Sequence, residues 1–171
     1  NGSPYNRNKA LIAARESAVL VKNKKKGSNE PFLPLNENEL TKIAVIGPNA
    51  DNPLSQNGDW SLGTGQIDFF GQHPRNCTIT YVDGITRRFL HNESVINNNH
   101  NRNMFKGRVN NEEKTVKYEM GCGIEPDETA DLDAAINLVK ESDISIVVIG
   151  DRLIYYGEMR PTATLELMGG Q

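Results

Sequence analysis

The side chains with most scope for chemistry cluster between positions 151 and 158: Asp151, Arg152, Tyr155, Tyr156 and Glu158. A carboxyl group can move protons in a transition state when its surroundings bring its pKa near the working pH. What would place such a carboxyl is the stretch just upstream. Ile144 to Ile149 is an apolar, β-branched run interrupted only by Ser145, and Gly150-Asp151 stops it. With a helical pattern before it, the run reads as a strand buried on both faces of a parallel sheet. Ligand crevices of open α/β sheets lie outside the carboxyl ends of their strands, so this strand delivers Glu158 to the functional edge. Residue types alone also allow the blander account, a solvated loop carboxylate, and that account is the commoner one for a lone glutamate.

A second candidate lies on the same edge. Lys42-Ile-Ala-Val-Ile-Gly-Pro-Asn-Ala-Asp51 reads as a short buried strand, Ile43 to Ile46, broken by Gly47-Pro48-Asn49. A dinucleotide site would need Gly-x-Gly-x-x-Gly running directly into a helix. Only Gly47 is present and Pro48 follows it, so a Rossmann site is rejected. The polar loop beyond carries Trp60, the sole tryptophan. It is either a packing aromatic, as tryptophans often are, or a flat apolar platform for a ring-shaped ligand. Asp151, at the end of the later strand, is expected to orient its loop by accepting backbone hydrogen bonds.

Bulk properties narrow the classes. The 171 residues suit one domain or part of a larger chain, and a net charge of −3 gives no electrostatic case for nucleic acid or an anionic membrane. No apolar run approaches the roughly 20 residues of a membrane-spanning helix. Cys77 and Cys122 are too few for a disulfide framework and lack metal spacing, so two thiols or one disulfide are both open. No metal or other cofactor is called for. The polar start has no signal-peptide pattern. Met168-Gly-Gly-Gln171 stops where a helix could begin, so the chain is expected to be a fragment whose sheet has an open edge.

The remaining elements follow in order. Residues 7–22 read as a helix on Leu11, Ala14, Ala18 and Val21, ending in the basic run Lys22–Lys26. Residues 1–41 are thus a linker with a helix, and 42–171 a partial α/β sandwich. Thr78–Val82 alternates as a strand, with a short helix expected over Ile85–Leu90. Residues 91–114, rich in Asn, Lys and Arg, read as a surface insertion. Val116–Met120 alternates as a strand. Thr129 or Asp131 caps a helix with the apolar stripe Leu132, Ala135, Ile136 and Val139. Strand, helix and strand at this spacing make a βαβ unit, for which right-handed crossover is the rule. The expected architecture is α/β: a mostly parallel sheet sandwiched by helices in flavodoxin-like layers, truncated at its C-terminal end.

Four stretches, taken together and in order, carry a resemblance. Ala13–Asn23 with Leu33-Pro-Leu35, Lys42–Asp51, Gly58-Asp-Trp-Ser61, and the set Ile149-Gly-Asp, Gly157-Glu158 and Leu165–Gln171 resemble the C-terminal α/β sandwich domain of family 3 glycoside hydrolases, the β-glucosidase and β-xylosidase type. The resemblance implies that a preceding barrel supplies an aspartate nucleophile while a loop of this domain supplies the general acid/base. By position that residue is Glu158, with Trp60 matching a tryptophan that packs on the sugar beyond the scissile bond in some members. It also implies a β-glucoside or oligosaccharide substrate, the barrel of the same parent protein as partner, and a periplasmic or extracellular location. One departure stands out: many members have Asp-Arg shortly after the glutamate, where this chain has Arg160-Pro-Thr-Ala-Thr164. That leaves the substrate preference open.

Retaining glycosidases use two carboxyl groups about 5–5.5 Å apart, and a loop carboxyl from a docked domain meets that need. Its pKa must be raised, which burial against Tyr155 and Tyr156 would do. The fragment alone, holding half of the pair, is expected to be inactive. The competing reading is a non-catalytic sugar-binding α/β module, with Trp60, Tyr155 and Tyr156 as stacking surface. A flavin- or nucleotide-binding domain ranks below both, because no phosphate-cradling glycine loop is present.

Overall fold

The computed structural model describes residues 3–53, 55–56, 78–91, 104–110, 112–125, 128–152 and 164–171. The chain divides into two compact units, Asn1–Asn36 and Glu37–Gln171.

The first unit holds helix α1, Pro4–Ser17. It starts earlier than the apolar pattern predicts because Ser3 caps it, accepting from the Asn6 N–H at 3.3 Å, and Pro4 occupies the first turn. It ends earlier because Ala18 is extended, and Val19 and Val21 behind it are β-branched residues with low helix propensity. Beyond the helix, Asn23 organises the return of the strap. Its Oδ1 accepts from the N–H of Phe32 at 2.9 Å and of Leu33 at 2.6 Å.

Among the described residues the second unit is built on a four-stranded sheet of β1 (Lys42–Ile46), β2 (Met104–Val109), β3 (Glu112–Glu119) and β4 (Ile144–Val147), in spatial order β2-β3-β1-β4. Strand β1 runs parallel to both β3 and β4, and β2 pairs antiparallel with β3. The mostly parallel α/β architecture therefore holds, with one antiparallel edge strand. Part of the stretch expected as a surface insertion is this strand: Phe105 sits opposite Val116 and is buried. Its polar neighbours face outward and hide the alternation from a reading by composition.

Period-two alternation assigns the two faces. Ile43, Val45, Phe105 and Val116 lie on one, joined by Val82, Phe89 and Leu90 of helix α2 (Tyr81–Leu90) and by Ala50 in the main core. Burying each large apolar side chain contributes about 1.5–3 kcal/mol. Helix α2 replaces the expected strand over Thr78–Val82. Thr80 and Asp83 form a capping box: the Thr80 hydroxyl accepts from the Asp83 N–H at 3.3 Å, and the Asp83 carboxylate from the Thr80 N–H at 3.1 Å. A β-branched residue at an N-cap mimics a strand signal, and here the cap prevails over propensity.

The other face carries the fully buried Ala44 and meets helix α3, Leu132–Lys140. Asp131, one of the two expected caps, accepts from the Ala134 N–H at 2.8 Å. The buried positions of α3 are Ala135 and Leu138, whereas Leu132, Ile136 and Val139 of the predicted stripe are exposed. The helix passes close to the chain just beyond β3 at Ala135. A Cβ added at Gly121 would stand 3.0 Å from that of Ala135.

Strand β4 is not buried on both faces. Among the described strands it lies at the edge of the sheet, and Val147 and Ile149 are 58% and 53% exposed. Its entry is pinned by Asp143, whose carboxylate accepts from the N–H groups of Thr41 (2.7 Å) and Lys42 (2.9 Å) and from the Thr41 hydroxyl (3.0 Å). Those backbone donors hold its pKa below the usual aspartate value. Its exit passes so close to Gly47 (φ +115°) that any side chain there would collide with the Val148 carbonyl.

Candidate functional site

Because β1, β3 and β4 are parallel, their carboxyl ends share one edge, where ligands of open α/β sheets bind. Three loops meet there: the one after β1 (from Gly47), the one after β3 (from Met120) and the one after β4 (from Val148). The C-terminal segment 164–171 joins them.

The centre of the edge is Arg152, 6% exposed. Its Nε donates to Asn49 Oδ1 at 3.1 Å, and a terminal nitrogen donates to the Pro48 carbonyl at 2.7 Å. The other terminal nitrogen is bonded to Glu128 Oε1 and lies 3.5 Å from Glu125 Oε1. A buried guanidinium needs both a counter-charge and full use of its fork of donors, and this one has carboxylate, amide and carbonyl partners. Glu128 in turn spends its second oxygen on the backbone, accepting from the N–H groups of Ile124 at 2.7 Å and Glu125 at 3.1 Å. Burial opposes its ionisation, but the bonds from Arg152 and those backbone groups outweigh it and hold its pKa below the ordinary 4.5.

Asn49 links the loops in the other direction. Its Nδ2 donates to the carbonyl of Gly150 at 2.8 Å and to that of Asp151 at 3.5 Å, while its Oδ1 also accepts from the Ser55 hydroxyl at 3.1 Å. Gln171 grips the same glycine: its Oε1 accepts from the Gly150 N–H at 2.9 Å and its Nε2 donates to the Gly150 carbonyl at 3.2 Å. Gly150 has a φ of +149°, a backbone shape that favours glycine. Beside this network the half-buried Tyr118 has its pKa pushed up to about 12, first by burial, then by the carboxylate of Asp51, with Arg152 partly opposing. Asp51 also accepts from the Thr80 hydroxyl at 2.8 Å, which ties the β1 loop to the start of α2.

Of the site residues read from sequence, the structure describes Asp151, which is exposed and follows Gly150 directly. Trp60, Tyr155, Tyr156 and Glu158 lie outside the described residues. The edge brings together a set that sequence reasoning does not assemble: Asn49, Glu128, Arg152 and Gln171. Arg152 is visible as a member of the loop, yet nothing in the spacing links it to Asn49, 103 positions away. The usable signal is a lone arginine directly after an apolar strand, which must find buried partners. Among the described residues no group of three or more His, Cys, Asp or Glu is placed to hold a metal ion. What the arrangement does chemically is mechanical: it fixes Gly150–Arg152 against two neighbouring loops.

Comparison with known proteins gives a consistent picture. The profile of the glycosyl hydrolase family 3 C-terminal domain matches residues 18–171. A β-xylosidase of Formosa agariphila is 26% identical over 170 residues, 99% of this chain and 19% of that protein. A lysosomal β-glucosidase of Dictyostelium discoideum is 27% identical over 150 residues, 88% of this chain and 15% of that protein. Among solved structures, a β-glucosidase involved in saponin metabolism from intestinal bacteria superposes with a TM-score of 0.71 at 28% identity, over 99% of this chain and 22% of that one. The chain therefore spans about a fifth of the length of these relatives, or less.

Proposed function

Since the chain belongs to glycosyl hydrolase family 3, as its C-terminal domain, we propose that it is the part of a β-glucosidase-like retaining hydrolase that supplies the general acid/base, and that Glu158 is that residue. The observation that carries this reading is the anchoring of Gly150–Arg152 at the carboxyl edge of the sheet. A carboxyl that must reach a substrate held by another domain needs a fixed point of departure. The segment bearing Glu158 follows that anchored stretch directly.

In the proposed cycle a nucleophile from the barrel of the parent protein attacks the anomeric carbon while Glu158 protonates the departing oxygen. Glu158, now ionised, then takes a proton from the water that releases the sugar. Tyr155 and Tyr156 supply the desolvation that keeps the carboxyl protonated at first. Trp60 offers a stacking face to the sugar beyond the scissile bond, and Asp151 helps to orient the loop. The substrate is a terminal β-linked glycosyl unit.

The test uses the complete parent protein, wild type against Glu158→Ala, on aryl β-glucosides and β-xylosides with good and poor leaving groups. Loss of the acid should lower turnover of the poor leaving group by roughly 10²–10⁴-fold and spare the first step for the good one. Azide should then restore the good substrate, replacing the base-activated water. Full activity of Glu158→Ala would place the acid elsewhere. An inactive wild type on both glycoside classes would favour a non-catalytic sugar-binding module.

A further inference from the structure

We propose that Lys114 anchors the chain where it enters the α/β domain, so that in the complete protein the slack of the inter-domain linker ends at Glu37. This rests on the proposed place of the chain in a larger hydrolase and not on which residue is the acid/base. Lys114 closes the polar stretch that composition marks as surface, yet it is 4% exposed. It stands opposite Gly107 in the β2–β3 pair, on the core face of the sheet with Phe105 and Val116. Period-two alternation would put an apolar residue at that position. Its ammonium lies 4.6 Å from the centroid of the Phe89 ring and donates to the Glu37 carbonyl at 2.6 Å. The stem is buried in the core while the head meets the entering chain.

The compact unit of the domain begins at Glu37. Residues 37–41 belong to neither helix nor strand, so side chains must hold them. At the far end, Asp143 accepts from the N–H groups of Thr41 and Lys42, and the Thr41 carbonyl accepts from the Thr115 N–H at 2.8 Å. Leu40 packs against the core, whereas Asn38 and Glu39 are exposed. At the near end, Glu37 has Lys114 on its carbonyl and Arg88 on its carboxylate, at 3.0 and 2.7 Å. The Arg88 side chain is 74% exposed, and such a surface pair contributes little. The hold on Glu37 therefore falls on Lys114. An apolar residue would fill this core position at a lower desolvation cost. What lysine adds is one directed bond from a charged donor, roughly twice as strong as a neutral one, to a main-chain group 77 positions away. Without it the next fixed point is Leu40, and Glu37, Asn38 and Glu39 pass from the domain to the linker. A longer linker lowers the effective concentration at which the domain meets the rest of the protein, about as the −3/2 power of its length.

The experiment compares wild type, Lys114→Met and Lys114→Arg in the complete protein, using a glutamate-specific protease to probe the bonds after Glu37 and Glu39. Methionine keeps most of the stem and removes the bond. Arginine restores a cation that can lie on the Phe89 ring and donate to the carbonyl. Lys114→Met should speed cleavage at these bonds by about 10–100-fold, the ratio implied by loss of one hydrogen bond from a charged donor, while hydrogen exchange in β3 and α2 peptides stays at the wild-type rate. Lys114→Arg should recover most of the resistance. On aryl β-glycosides, kcat/KM of Lys114→Met should fall by roughly 2–5-fold. Wild-type cleavage rates in a folded Lys114→Met variant, or protection lost equally through β3 and α2, would overturn the anchor. Should Lys114→Met fail to fold, amine acetylation of the wild type reads the same contact. Lys114 should react about 10–100-fold more slowly than the exposed Lys106 and Lys117, and equal reactivity would overturn the anchor as well. A wild type inactive on glycosides would remove the hydrolase reading, while the cleavage and acetylation results would still decide whether Glu37 is held.

Discussion

Glu128→Gln is the sharpest perturbation of the edge network, because it changes one atom type and leaves the shape intact. The carboxylate uses both oxygens: Oε1 on Arg152, and Oε2 on the N–H groups of Ile124 and Glu125. Glutamine has one acceptor oxygen, and its other head atom is a donor. Whichever way the amide turns, an NH2 group must face either the guanidinium or two backbone N–H groups. The variant therefore loses a charge-assisted bond and also opposes donor to donor. The side chain of Arg152 is 7% exposed and stays charged.

Removing one partner of a buried pair costs about 3–5 kcal/mol. Glu125, 3.5 Å from the same nitrogen, still offsets part of the charge, which places the expectation near the lower end, about 3 kcal/mol. In a domain of this size that is a fall of roughly 6–12 °C in thermal midpoint. Hydrogen exchange in the complete protein localises the effect: peptides covering 120–125 and 148–152 should lose protection by about 100-fold or more, while α2 peptides change little. The pH dependence carries a sign. A folded-state pKa depressed below 4.5 means that the pair's contribution is fully present above that value and is lost as pH falls through the folded-state pKa. Glu128→Gln should remove this part of the acid destabilisation. Unchanged protection in both edge peptides, or an acid limb identical to wild type, would refute the view that Glu128 compensates Arg152.

Two further predictions test the supports around the network. Thr80→Ala removes the cap of α2 and the 2.8 Å bond to Asp51, and should destabilise by about 1–2 kcal/mol, seen as faster exchange in the first turn of α2 before any other element. Tyr118, with its pKa raised to about 12, favours the fold while neutral. Stability should thus be intact below the unfolded-state value near 10 and decline as pH rises toward 12; Tyr118→Phe should flatten that alkaline decline in thermal midpoint.

Sequence is most legible where one physical cue dominates. Ile43–Ile46 and Ile144–Val147 stand out because a short β-branched apolar run stopped by glycine favours a strand over a helix. Helix α3 is legible from its Asp131 cap and its period, although the apolar stripe selects Ile136 and Val139 where the fold buries Leu138. The period gives a stripe, but the partner surface decides which side of it is covered. Thr78–Val82 misleads because threonine serves both strands and caps, and the distinguishing residue, Asp83, lies three positions beyond Thr80. Strand β2 is hidden because an edge strand with one buried side chain, Phe105, looks like polar loop. The polar edge network is the least legible part. Its members come from four separate stretches of chain, and a hydrogen bond leaves no periodic trace in sequence.

Polar groups anchor strand β4 at both ends, and its apolar contacts are one-sided among the described residues. A strand in the middle of a sheet is held on both sides, and its exit is fixed by packing. Among the described residues strand β4 pairs with β1 alone, and Val147 and Ile149 are more than half exposed. Apolar contact therefore holds its inner face alone, through Ile144, Ile146 and Val148. Hydrophobic burial is non-directional and would allow the strand end to slide or rotate by fractions of an ångström at small cost. Hydrogen bonds with defined geometry do not. Asp143 at the entry and Asn49, Arg152 and Gln171 at the exit supply that geometry at the two ends of an otherwise weakly held strand. Directional bonds thus fix the position of the strand ends, and apolar contacts supply the cohesion between them.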